Sequence, residues 1–120
     1  MALILIVEDE FFIRQAAEWA VQDLGHSTLA ACDLGEALKH LSASPAIDAL
    51  FVDMRLNELA VGGYEVANQA VALRPNLRVL YTSGTPLTSN ITDRFVPGGQ
   101  FIQKPYSADQ LSKSMERLLN

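Results

Sequence analysis

The sequence predicts an α/β domain, a parallel sheet of five strands with helices packed on both sides. Apolar runs of strand length and helical stripes alternate along the chain five times, the pattern that βα units produce. The runs Ala2–Val7 and Ala49–Val52 are continuously apolar, as strands covered on both faces must be. No repeat, linker or low-complexity stretch breaks the 120 residues, so one domain spanning 1–120 is expected.

The first strand is Ala2–Val7. Glu10–Leu24 follows with Ile13, Ala16, Ala17, Ala20, Val21 and Leu24 on one helical stripe, and Gly25 as a stop. Ser27–Ala31 is a short strand. Asp33 caps a helix bearing Leu34, Ala37, Leu38 and Leu41, which Ser42–Pro45 ends. The run Ala49–Val52 stops at Asp53, and the loop Met54–Gly63 leads to a helix through Val66, Ala67, Ala70 and Leu73, closed by Arg74, Pro75 and Asn76. Leu77–Thr82 is the fourth strand and Phe101–Gln103 the fifth. Ser107 caps the last helix, with Ala108, Leu111, Met115 and Leu118 on its inner face. Between Thr85 and Phe95 stand Pro86, Thr88, Ser89, Asn90 and Thr92, all poor helix formers. The fourth helix is therefore expected to be short or mobile.

About half the residues are apolar, enough for a sizeable core, and the formal net charge is −5. That balance argues against direct nucleic-acid binding and against an anionic membrane surface. The single cysteine, Cys32, excludes an intrachain disulfide and is expected to be a small core residue. Ala2–Val7 is too short for a signal or membrane segment, so the expected location is cytoplasmic.

In an open parallel sheet, ligands bind beyond the carboxyl ends of the strands. Those ends carry Glu8 and Asp9, then Asp53, then Thr82, Ser83 and Gly84, then Lys104 and Pro105. Three neighbouring carboxylates repel by roughly a few kcal/mol per close pair. Oxygen-only donors favour Mg²⁺, or Mn²⁺, over zinc as the cation that relieves them. With Lys104 as a second cation, one central carboxylate can act as a nucleophile toward phosphorus. A strand-terminal aspartate can also be a helix cap, and Lys-Pro is a common dipeptide. Four strand ends carrying compatible chemistry make coincidence a poor explanation.

These residues identify a family. ILIVEDE, FVDMRL, YTSG and FIQKPY resemble the first, third, fourth and fifth strands, with their functional ends, of the receiver domains of bacterial two-component response regulators. The likeness extends over nearly the whole chain. It implies a flavodoxin-like (βα)5 sandwich with strand order 2-1-3-4-5. It also implies an Mg²⁺-dependent phosphoacceptor switch that takes a phosphoryl group from a histidine kinase or phosphotransfer protein. Asp53 is then the acceptor and a metal ligand. Asp9 binds the metal directly, Glu8 through water, and Arg55 through its backbone carbonyl. Lys104 contacts the phosphoryl oxygens, and the Lys104–Pro105 bond is cis. Ser83 is the switching hydroxyl, with Thr82 as its rival, and Phe101 is the aromatic switch. The output face toward a downstream protein is the fourth helix, fifth strand and fifth helix. A phosphorylation-dependent homodimer through that face is a further option, to which the charge lends no support.

The chain departs from the family at Asn57, where many receivers have proline, and Asn57–Gly63 looks slightly long. Glu8 in place of aspartate is a common variant. His26 and His40 are expected at the surface, Trp19 as a flanking core residue, and Tyr106 as a surface or interface aromatic. One of Phe11 and Phe12 is expected to shield the acidic site.

Three other functions compete. An aspartate-nucleophile phosphatase would want an acid two residues beyond the nucleophile, where Arg55 or Phe11 stands. A nucleotide- or flavin-binding protein would want a glycine-rich loop after the first strand, where Glu8, Asp9, Glu10 and Phe11 stand. A phosphorylation-independent receiver-like binding module is opposed only by the presence of every reactive group.

Overall fold

A computed structural model describes residues 1–44, 46–56 and 62–120. Five strands, β1 (Leu3–Val7), β2 (Ser27–Ala31), β3 (Ala49–Asp53), β4 (Arg78–Ser83) and β5 (Gln100–Gln103), form one sheet in the order β2-β1-β3-β4-β5. Every pairing is parallel. The helices are α1 (Phe11–Asp23), α2 (Leu34–Ala43), α3 (Gly62–Leu73), α4 (Ser89–Thr92) and α5 (Ala108–Leu119).

Strand alternation divides the core in two. Leu5, Val7, Leu50, Val52, Val79 and Tyr81 pack with Ala37 and Leu41 of α2 and Tyr64, Val66, Ala67 and Ala70 of α3. Ile4, Ile6, Ala49, Phe51, Leu80 and Ile102 pack with Ala17 and Val21 of α1 and Leu111, Met115 and Leu118 of α5. The result is a three-layer, flavodoxin-like (βα)5 sandwich. β1 and β3 lie at its centre, and their continuous apolar runs are the consequence of having helices on both sides.

Local signals set the helix ends. The Asp33 side chain accepts from the Glu36 amide at the start of α2, and Ser107 and Gln110 form a capping box on α5. Gly25 closes α1 with a φ of 95°, which a side chain would strain. α4 is a single turn of four residues with none buried, consistent with the composition of that segment.

Several expectations about individual side chains need correction. Trp19 is 61% exposed, and Phe11 and Phe12 are 59% and 84% exposed, so none is a core or shielding residue. Their positions on α1 fall outside the stripe of Ala17 and Val21. His26 and His40 are half-buried: His26 Nδ1 accepts from the Ala2 amide at 3.1 Å, and His40 Nε2 lies 2.9 Å from the Ala30 carbonyl oxygen. Cys32 is only half-buried, at the entrance to α2, because β2 is an edge strand. Tyr106 is also half-buried, its ring 6.0 Å from that of Phe51. Gly62 and Gly63 belong to α3 rather than to the preceding loop. Asn57 and the rest of 57–61, like Pro45, lie outside the described residues.

Candidate functional site

Parallel pairing brings all the strand carboxyl ends to one edge. Val7 pairs with Val52 and Asp53 with Thr82, so Glu8, Asp53 and Thr82 follow one another across β1, β3 and β4. At that edge Glu8, Asp9, Glu10, Ile13, Asp53, Arg55, Ser83, Gly84, Thr85 and Lys104 line an open cleft of about 380 Å³.

Lys104 reaches into this cleft from the end of β5. Its ammonium lies 2.5 Å from Asp53 Oδ2 and 3.1 Å from Glu8 Oε1. The Lys104 amide donates to the Ser83 carbonyl at 2.8 Å, continuing the β4–β5 ladder past its last paired residues. The Lys104–Pro105 peptide is cis. Asp53 is 7% exposed and its Oδ1 accepts from the Arg55 amide at 2.9 Å. Glu8 is 5% exposed, and its Oε2 accepts from the Glu10 amide at 3.1 Å.

The electrostatics follow from crowding. Burial and the neighbouring Asp53 and Asp9 carboxyls push Glu8 up to about 8, against the pull of the Glu10 amide. Burial pulls the Lys104 ammonium down, but Asp53 and Glu8 outweigh it and hold its pKa above the ordinary value. Burial likewise raises the Tyr106 phenol.

The donors of this cleft are oxygens from Glu8, Asp9, Asp53 and the backbone, and their excess of negative charge suits a hard divalent cation. Among the described residues, the group whose ligand atoms all lie within 4.8 Å of one another is Cys32, Asp33 and Glu36 at the start of α2. That group is bound up in its own hydrogen bonds, with Glu36 accepting from the Cys32 amide and Asp33 from the Glu36 amide.

The two hydroxyls point apart. Ser83 lines the cleft and its Oγ accepts from the Thr85 amide at 3.0 Å. Thr82 lies beneath, 5% exposed, facing the α1–α5 side. Period-two alternation was a signal in the sequence that could have separated them, because Ser83 is out of phase with Asp53 and Thr82 is in phase. Phe101 is half-buried against the other face of the sheet. Its ring stacks on Phe95 at 6.3 Å, and Phe95 in turn stacks on Tyr81 at 4.1 Å. Phe95 and Ile13 were not singled out from the sequence as site residues. Ile13 lines the cleft, and only its place in the first turn of α1 hints at this.

Comparison with known proteins gives one consistent picture. The family model described as "Response regulator receiver domain" matches residues 4–116. The chain is similar to a response regulator receiver protein from Sinorhizobium medicae, at 28% identity over 99% of this chain and 94% of that one, with a TM-score of 0.86. It is also similar to NtrX from Brucella abortus, at 32% identity and a TM-score of 0.84, covering 99% of this chain but 27% of NtrX. The chemotaxis protein CheY4 of Vibrio cholerae shares the fold, with a TM-score of 0.88 at 23% identity and 99% coverage of both chains. No curated protein matches.

Proposed function

Since the chain belongs to the response regulator receiver domain family, whose members are phosphorylatable signalling domains acting as phosphoacceptor switches, we propose that Asp53 is its phosphoacceptor. The observation that carries this reading is the Lys104 ammonium held between Asp53 and Glu8, 2.5 and 3.1 Å away. It sets one positive charge against two buried carboxyls inside the cleft.

The donor is a phosphohistidine of a histidine kinase or phosphotransfer protein. An Asp53 carboxylate oxygen attacks phosphorus, the phosphorus–nitrogen bond of the donor breaks, and its electron pair stays with the imidazole. The Arg55 amide at Oδ1 and Lys104 at Oδ2 fix the carboxylate before attack. Mg²⁺, or Mn²⁺, held by Asp9, Asp53, the Arg55 carbonyl and, through water, Glu8, would supply positive charge against the phosphoryl oxygens. Lys104 then follows those oxygens.

Ser83, on the cleft wall, is the hydroxyl that moves toward the phosphoryl group, and its orientation favours it over Thr82. The movement opens space for Phe101 to turn inward, which remodels the face of α4, β5 and α5 toward a downstream protein. Among the described residues no helix is long and apolar enough to cross a membrane.

The test is intact-mass analysis after incubation with acetyl phosphate, with and without Mg²⁺, on the wild type and Asp53→Asn. One phosphoryl adduct that needs Mg²⁺ and is missing from the variant is expected. No adduct under any condition would favour the phosphorylation-independent binding module.

A further inference from the structure

Thr82 has a hydroxyl that the resting site does not use. It is 5% exposed, and its Oγ1 has no hydrogen-bond partner among the described residues. Buried hydroxyls nearly always find one. The position is specific. Thr82 is the register partner of Asp53 on one side and of Ile102 on the other. Leu80 and Ile102 face the α1–α5 layer, so by alternation Thr82 and Lys104 point to that same side. Lys104 directly follows β5 and its ammonium reaches Asp53 on β3, across the end of β4, the strand that carries Thr82.

A cavity of about 10 Å³ has Thr82 in its wall together with Glu8, Asp53, Lys104 and Tyr106. That volume is at the lower limit for one water, so the natural partner is a side chain of the wall. Lys104 is the best suited. An ammonium has three donors, and among the described residues its side-chain bonds are those to Glu8 and Asp53. Either bond can be exchanged when the ammonium moves.

We propose that Thr82 is a positioning residue for Lys104: its hydroxyl accepts a hydrogen bond from the Lys104 ammonium when a phosphoryl group on Asp53 draws that ammonium away from Glu8. The hydroxyl thus steadies the lysine in the reacting arrangement and contributes nothing to the resting one. This role differs from that of Ser83, which lines the cleft. It rests on Asp53 being the phosphoacceptor.

Thr82→Val and Thr82→Ser, made in the full chain beside wild type and Asp53→Asn, test it. Two quantities are measured: thermal melting without phosphoryl donor, and the rate of adduct formation as acetyl phosphate is varied at fixed Mg²⁺. Thr82→Val is expected to melt no lower than wild type. Its maximal rate should fall roughly tenfold, the size of one hydrogen bond to a charged group, with the half-saturating acetyl phosphate concentration unchanged. Thr82→Ser should restore the rate. A Thr82→Val protein that reacts at the wild-type rate overturns the inference while leaving Asp53 as acceptor. So does one that melts clearly lower or fails to fold, because the hydroxyl is then structural. If wild type itself takes up no phosphoryl group, the assignment of Asp53 fails and this inference falls with it.

Discussion

Lys104 Nζ lies 2.5 Å from Asp53 Oδ2, although the two residues are 51 positions apart and Lys104 follows β5, which β4 separates from the strand of Asp53. The same ammonium contacts Glu8. One cation therefore ties three strands together at the edge where the chemistry sits.

Removing that cation should be felt before any phosphoryl group arrives. Lys104→Met leaves the buried Asp53 and Glu8 carboxyls facing each other. Breaking a buried pair on one side is costly, and the partial exposure of Lys104, 24%, reduces the effect to about 1–3 kcal/mol. Urea unfolding in Mg²⁺-free buffer should show this loss, and added Mg²⁺ should recover part of it. An unchanged midpoint without Mg²⁺ would mean the pair does not hold the edge together.

Much of this edge was legible because parallel topology turns strand ends into a site. Glu8, Asp9, Asp53, Ser83 and Lys104 could each be placed by finding where an apolar run stops, and the cleft gathers them. The short α4 was legible from its hydroxyl- and proline-rich composition. What could not be read was tertiary. Trp19 and Phe12 belong to an amphipathic helix whose buried stripe turned out to be Ala17 and Val21, and hydrophobicity alone does not say which large side chain is left outside. The His40 bond to Ala30 joins α2 to β2, a contact no local pattern announces. Phe95 was passed over for a similar reason: its weight comes from ring neighbours on β4 and β5.

That aromatic stack gives a second prediction. Phe95 lies 4.1 Å from the Tyr81 ring, 6.3 Å from Tyr64 and 6.3 Å from Phe101, while the Tyr81 hydroxyl accepts from the Val96 amide. Phe95→Ala should destabilise the domain by about 2–4 kcal/mol, more than Phe101→Ala. Chemical denaturation of the two variants compares them, and equal losses would show that Phe95 does not anchor Phe101.

Gly63 at the start of α3 packs against the backbone that follows the acceptor. A Cβ there would lie 2.7 Å from Met54 Cα and closer still to the Asp53 carbonyl oxygen, whereas a Cβ on Gly84 would meet nothing within 4 Å. Gly63→Ala should cost about 3 kcal/mol or more, because backbone cannot yield as a side chain can. Gly84→Ala should stay within about 0.5 kcal/mol of wild type. Equilibrium unfolding of the pair decides it, and similar stabilities would contradict the close approach.

Cys32 provides the pH dependence. The hydrogen bond with Glu36, then burial and the charge of Asp33, push its thiol up to about 11. A raised thiol pKa means that the reactive thiolate is scarce at pH 8 and accumulates only as pH climbs toward 11. Iodoacetamide labelling at pH 8 should be roughly ten- to a hundredfold slower than for an unperturbed thiol, and Glu36→Gln should speed it. A labelling rate that levels off below pH 10 would rule out the raised value.

The most direct test of the account is the chemical location of the phosphoryl group. Treating the acetyl phosphate-labelled protein with borohydride reduces an acyl phosphate to an alcohol, converting the modified aspartate to homoserine, which peptide sequencing by mass spectrometry locates. The account predicts homoserine at position 53 and at neither Asp9 nor Glu8 an equivalent reduction. Homoserine at position 9 with Asp53 intact, or a stable adduct on Ser83 that borohydride leaves unchanged, would contradict it.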